Sequence, residues 1–108
     1  MSSTSSQPIY STLAADPDMS ELVEMFVEEM PNRVAGLAAA LDGGDWALLG
    51  RLAHQIKGAA GSYGFGQLTP ASAKLEKSCK SQDPEDAIQT ACEDLLAMCA
   101  ALRAGTPS

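Results

Sequence analysis

The chain lacks the patterns that several broad classes of protein require. No apolar run approaches the roughly 20 residues of a membrane-spanning helix, and the serine-rich N-terminus has neither the basic nor the apolar region of a signal peptide. Basic residues are few: seven Lys and Arg stand against fourteen Asp and Glu, for a net charge of −7. This balance argues against nucleic acid and anionic membrane as partners. We therefore expect a cytoplasmic protein that binds neither.

Metal-ligating residues are also scarce. The sequence has one histidine and three cysteines, and the cysteines lack the close pairing of a zinc site. We expect no metal and no cofactor. The odd cysteine count fits a reducing compartment, and Cys79, Cys92 and Cys99 are predicted to be small buried apolar residues.

What the chain does have is helical periodicity, with no segment that alternates like a strand. Asp16-Pro17, Thr69-Pro70 and Asp83-Pro84 are typical helix starts, and Asp45 is placed to cap another helix. The patterns predict helices over residues 16 to about 41, 45 to about 63, 69 to about 81 and 83 to about 103. Pro31 lies inside the first and either kinks one long helix or separates two shorter ones.

These elements predict an all-α fold, an antiparallel four-helix bundle over residues 16–104. Residues 1–15 are predicted to be a flexible tail, with room for a short extra N-terminal helix or turn near Ile9 to Leu13, and residues 105–108 a C-terminal tail. The length suits one domain. Because the apolar residues fit one core, we expect a monomer.

The second predicted helix carries the only histidine, His54. A step of about 100° per residue places the apolar stripe on one side and His54 nearly opposite it. Gly50, Gly58 and Gly61 fall near His54 on this outer face, with Arg51 and Lys57 at its flanks. Glycine costs about 1 kcal/mol against alanine inside a helix. We interpret the glycines as clearing space around an exposed imidazole for a second macromolecule.

The charge distribution supports a contact surface at the same place. Five of the seven basic residues lie between residues 51 and 80, a stretch with one acid, Glu76. A hydrolytic triad would need a nucleophile and a pocket beside His54, and a metal site would need more ligands. A nucleophilic imidazole with a lysine one turn away suits a phosphoryl carrier.

The segment "AHQIKGAAGSYGF", residues 53–65, resembles the His-x-x-Lys-Gly-x-x-x-x-x-Gly signature of histidine-containing phosphotransfer (HPt) domains. The preceding helix with its Gly-Asp loop and the segment "LTPASAKLEKSC" are also similar to that family, so the resemblance covers nearly the whole chain. Ala60 departs from it, since many members carry Ser there. Because Ala60 lies on the core side, we expect no loss of function.

The resemblance implies a four-helix bundle and a role for each matching residue. His54 would accept phosphate on Nε2 from a receiver-domain aspartate and pass it on, with Lys57 near the phosphoryl oxygens. Gly58 would clear space, and Gly64 would end the helix. Glu76 would hydrogen-bond to Nδ1 of the ring; its alternative is an ordinary surface Glu paired with Lys80.

The implied partners are response-regulator receiver domains and a hybrid histidine kinase. Their docking would use the basic residues and the glycine face, with Met25 and Phe26 as further candidates. The candidate binding residues are Arg51, Gly50, Gly58, Gly61, Lys74 and Lys77.

Three alternatives remain open at this stage. The chain could be a helical adaptor that is never phosphorylated, or a histidine domain fed by a chemotaxis-type kinase. An enzyme that uses His54 as a general base is disfavoured, because no second catalytic residue shares its face.

Overall fold

The computed structural model describes residues 7–106, which form four α-helices and two very short strands. In chain order the elements are β1 (Ile9–Tyr10), α1 (Ser20–Asp42), α2 (Trp46–Ser62), α3 (Leu68–Lys80), α4 (Glu85–Ala100) and β2 (Leu102–Arg103). Helix α1 contacts α2 and α4, and α3 contacts the same two helices. The predicted helical bundle is confirmed.

Helix α1 is one continuous helix that runs through Pro31, so the proline does not separate two helices. It begins at Ser20 and not at the predicted Asp16. The Asp16 carboxylate accepts a hydrogen bond from the backbone N–H of Asp18 at 2.9 Å, which folds residues 16–19 into a turn before the helix. The Asp-Pro signal therefore marks a turn that leads into the helix.

The core is built from the apolar stripes of all four helices. Its largest fully buried side chains include Phe65, Leu37, Leu49, Ile56, Leu68, Leu75, Ile88 and Leu95. The three cysteines are buried and unpaired, as predicted. Burial raises the pKa of the Cys92 and Cys99 thiols to about 11. Their thiol forms therefore persist at neutral pH, and they act as small apolar residues.

Helix α2 begins and ends where the sequence predicts. The Asp45 carboxylate accepts a hydrogen bond from the Leu48 N–H at 3.1 Å and so caps the first turn. At the other end Gly64 has φ of +82°, and the Phe65 N–H donates to the Ala60 carbonyl at 2.8 Å. This is a Schellman termination, which needs a residue with left-handed backbone geometry.

The strands and the ordered N-terminal segment correct two predictions. β1 and β2 pair in parallel, with Ile9 opposite Leu102, although no strand is predicted. Helix α4 ends at Ala100, short of the predicted 103, because Leu102 and Arg103 join this pairing.

The N-terminal segment packs on the end of α2 and is not a free tail over residues 9–14. Ser11 donates a hydrogen bond to the Tyr63 carbonyl, and the Thr12 N–H donates to the Gly64 carbonyl at 3.0 Å. Residues 7–19 contain a strand and turns but no helix. Residues 1–6 of the predicted N-terminal tail, and residues 107 and 108 of the C-terminal one, lie outside the described residues. Within the described part of the chain, no helix has both the length and the apolar character to cross a membrane.

Replacement of Gly64 by alanine should destabilise the fold. A methyl group there would collide with the Ser11 side chain and lie 3.0 Å from the Leu13 backbone nitrogen, on a backbone with positive φ. We expect a loss of about 2 kcal/mol or more in the free energy of unfolding, measured by urea denaturation. The control is Gly66→Ala, whose methyl group would meet no atom within 4 Å. Equal stabilities for the two variants would contradict this account.

Candidate functional site around His54

His54 lies near the middle of α2 on the side away from the core. The buried residues of α2 include Leu49, Ala53, Ile56 and Ala60, which fix the rotation of the helix against its neighbours. The His54 side chain is 63% exposed. Its ring is therefore open to a second molecule from the solvent side, as the helical wheel predicts.

A single carboxylate on α3 holds the other side of this ring. Glu76 Oε2 lies 3.0 Å from His54 Nδ1, and Glu76 Oε1 accepts a hydrogen bond from Lys57 Nζ at 2.7 Å. Lys80 Nζ lies 3.1 Å from Oε2. The Glu76 side chain is only 9% exposed. The two carboxylate oxygens of Glu76 thus contact three groups: the imidazole of His54 and the ammonium groups of Lys57 and Lys80.

The lysines keep this carboxylate ionised. Hydrogen bonds from Lys57 and then Lys80 lower the pKa of Glu76 from 4.5 to about 2, against the opposing effect of burial. An ionised carboxylate only accepts hydrogen bonds, so Nδ1 of His54 must carry the proton. In the neutral ring, Nε2 then holds the free electron pair. The electron pair of the neutral ring therefore lies on the ring nitrogen that does not contact Glu76.

The glycines around His54 divide into two groups. A methyl group at Gly58 or Gly61 would meet no atom within 4 Å, so both positions are open. Gly50 is different and corrects the prediction of an exposed position: it is buried, and its methyl group would lie 3.2 Å from Cys79 Cβ. Helix α2 packs against α3 as well as against the core, and Gly50 permits their close approach.

A groove of about 750 Å³ adjoins the ring between α2 and α3. Its lining residues are Trp46, Ala47, Gly50, Arg51, His54, Glu76, Cys79, Lys80, Gln82 and Asp83. The groove combines apolar surface from Trp46 with two cationic side chains, Arg51 and Lys80. Trp46 is not among the predicted site residues. It lies two turns before His54, at the start of α2, and so outside the segment of residues 53–65 that carries the family signature.

The family model of the Hpt domain matches residues 21–105, most of the chain and all four helices apart from the first residue of α1. The chain belongs to the Hpt domain family. No curated protein and no solved structure matches the chain in the corresponding comparisons. Hpt domains are phosphotransfer modules of two-component signalling, and the family interacts with receiver domains and kinases.

Within this Hpt domain, the predicted docking residues are spread around the site. Arg51 is exposed one turn before His54 and lines the groove. Lys74 and Lys77 are exposed on α3, but neither forms an ion pair with Glu76 or any other described residue.

The two apolar docking candidates on α1 differ in their exposure to solvent. Met25 is 51% exposed and remains available for contact. Phe26 is 3% exposed and packs its ring against those of Tyr63 and Phe65, with centroids 5.1 and 5.6 Å away. Phe26 is therefore a core residue, and the prediction of a contact role for it is wrong.

Lys80 contacts Glu76 but is not among the predicted site residues. Its spacing of four residues from Glu76 indicates an ion pair on one helix face, but that pair is the alternative to a bond between Glu76 and His54. The structure has both contacts at once. Among residues 7–106, no group of three His, Cys, Asp or Glu is placed to bind a metal ion.

The contribution of Glu76 to stability should depend on pH. Its pKa in the fold is lowered, so its stabilising effect is complete above the ordinary value of 4.5 and is lost as the pH falls towards 2. We expect the stability difference between wild type and Glu76→Gln, from urea denaturation at pH 5, 4 and 3, to shrink with each step. Glu85→Gln, which removes an exposed carboxyl group on α4, is the control. A pH-dependent loss no larger than that of the control would contradict this assignment.

Proposed function

We propose that this chain is a phosphorelay intermediate that carries a phosphoryl group on Nε2 of His54. The Nε2 electron pair attacks the phosphorus of a receiver aspartyl phosphate. The new N–P bond forms as the bond from phosphorus to the aspartate oxygen breaks, and the aspartate leaves as a carboxylate. Transfer to the next receiver reverses these steps. The chain is a carrier without independent catalytic activity.

The bond between Glu76 Oε2 and His54 Nδ1, at 3.0 Å, is the observation that carries this proposal. It keeps the proton on Nδ1 and leaves Nε2 as the nucleophile. After transfer the ring holds both the phosphoryl group and the Nδ1 proton and is formally cationic, so the same carboxylate stabilises the phosphorylated state. A geometry that favours both attack and product suits a reversible carrier.

Lys57 supplies the charge that a phosphoryl group needs. It lies one turn from His54, its Nζ bonds to the same carboxylate as the His54 ring, and its side chain is 32% exposed. Electrostatic neutralisation and positioning are the main contributions that proteins make to phosphoryl transfer. We assign Lys57 to the phosphoryl oxygens, and Glu76 to orientation of the imidazole.

The surface around His54 supports docking of a receiver domain. Gly58 and Gly61 leave the helix surface low beside the ring, and Met25 adds exposed apolar area on α1. Arg51, Lys74 and Lys77 would steer an acidic phosphorylation pocket towards the ring.

The family and the sequence also support a proposal for the arrangement of the helices and the place of the chain in a pathway. We propose that the four helices alternate in direction, because their connecting loops are short. The chain would act as a cytoplasmic monomer between a hybrid histidine kinase and a response regulator.

The first test is phosphotransfer from receiver domains. Labelled receivers, charged with acetyl phosphate, are mixed with wild type and His54→Gln, and protein-bound label is followed. We expect acid-labile, base-stable label on wild type alone, since His54 is the only histidine in the chain. An established HPt domain serves as positive control. If the control is labelled and this chain is not by any receiver, the relay proposal fails in favour of an adaptor or a kinase-fed domain.

A longer side chain at Gly58 should slow phosphotransfer from a receiver without destabilising the fold. Gly58→Gln fills space that is open in the fold and raises helix propensity, so we expect unfolding free energy to rise by about 0.5 kcal/mol. The rate of transfer from a receiver should fall, because the new side chain stands beside His54. Ala97→Gln, at an exposed position of α4, is the control and should leave the rate unchanged. Unchanged transfer in Gly58→Gln would contradict docking at this face.

A further inference from the structure

Lys57 has two partners that compete for it in the proposed function. Its Nζ donates to Glu76 Oε1 at 2.7 Å, yet it is also the cation assigned to the phosphoryl group. If Lys57 left Glu76 without replacement, a largely buried carboxylate would lose its charge partner while it holds His54. Removing one partner of a buried ion pair is costly. The transfer therefore needs a second cation on Glu76.

Lys80 meets this need by position. Its Nζ lies 3.1 Å from Glu76 Oε2, the oxygen that also contacts His54 Nδ1, whereas Lys57 donates to Oε1. The two lysines therefore use different oxygens and can act independently. Lys80 comes from the same helix as Glu76, one turn later, whereas Lys57 comes from the helix of His54. Lys80 can thus stay paired with Glu76 while Lys57 moves to the phosphoryl group.

Resting on the phosphocarrier function above, we propose that Lys80 is a positioning residue: it stays paired with Glu76 and holds that carboxylate on His54 Nδ1 while Lys57 moves from Glu76 to the phosphoryl group. Lys80 touches neither the ring nor the phosphoryl group in this role. It acts through Glu76.

The charges of the site are consistent with this division of work. With a neutral ring, Lys57, Glu76 and Lys80 sum to one positive charge. The added phosphoryl group brings about two negative charges. The His54 ring that carries it becomes formally cationic. The four groups then sum to about zero. Without Lys80 the phosphorylated site would carry a net negative charge, so its loss should disfavour the phosphorylated state.

The test uses phosphoramidate as a small phosphoryl donor, so that receiver docking does not enter. Nε2 attacks its phosphorus, the P–N bond of the donor breaks, and ammonia leaves. Initial labelling rates are compared for wild type, Lys80→Met, Lys80→Arg, Lys57→Met and the double variant. Arg103→Met, which removes an exposed cation of β2, is the control for lost charge.

We expect Lys80→Met to slow labelling by roughly fivefold, as for one partly exposed ion pair, with Lys80→Arg close to wild type. The loss should be larger in the Lys57→Met background, because Lys80 is then the only cation on Glu76 and its removal leaves a largely buried carboxylate unpaired. Equal losses in both backgrounds would overturn the proposal, since Lys80 would then act only as a distant charge.

A second readout separates positioning from simple loss of structure. The ¹⁵N shifts of the unphosphorylated His54 ring should keep the Nδ1–H tautomer in Lys80→Met, because Lys57 still holds Glu76. A changed tautomer there would overturn the proposal. So would failure of phosphoramidate to label wild type. Failure of receivers alone, with phosphoramidate labelling intact, would count against the relay function and not against the role of Lys80.

Discussion

The carboxylate of Glu76 is the constraint on which the rest of the site depends. It receives the imidazole of His54 and the ammonium groups of Lys57 and Lys80 on two oxygens, at 2.7 to 3.1 Å. The lysines keep it ionised, the ionised form fixes the proton on Nδ1, and the electron pair of the neutral ring is then on Nε2. Contact with Glu76 thereby fixes the tautomer of an exposed histidine on a convex helix surface.

The fold serves this contact by setting the distance between α2 and α3. Gly50 lets the two helices approach closely one turn before His54, since any side chain would press on Cys79. At the far end of α2, Gly64 ends the helix. The N-terminal segment attaches there through hydrogen bonds from the Ser11 hydroxyl to the Tyr63 carbonyl and from the Thr12 N–H to the Gly64 carbonyl. Close packing at these points supports the register that brings Glu76 under the ring. C-terminal to His54 on the helix surface, Gly58 and Gly61 carry no side chain, and the space beside them is open.

Much of this could be predicted from the sequence, because helical periodicity and capping residues are local signals. The four helices, the Asp45 cap, the exposure of His54 and its contact with Glu76 follow from spacing and from the family signature. Apart from the start of α1, which a local turn at Asp16 moves to Ser20, the errors concern contacts between distant segments. The pairing of β1 with β2 joins the two ends of the chain, and two-residue strands leave no alternating pattern. Gly50 seemed exposed because a helical wheel based on one apolar stripe omits a second packing partner. The spacing of Glu76 and Lys80 on α3 indicates their ion pair, but the simultaneous contacts of Glu76 with Lys57 and His54 depend on the relative placement of α2 and α3, which no spacing within one helix specifies.

The most direct test of the central claim is the position of the phosphoryl group on the ring. The ¹⁵N-histidine-labelled protein is phosphorylated, and the coupling of phosphorus to each ring nitrogen is measured by NMR. The account predicts coupling to Nε2, with Nδ1 still protonated and bonded to Glu76. Coupling to Nδ1 would contradict it, because Glu76 could not then hold the proton that makes Nε2 the nucleophile.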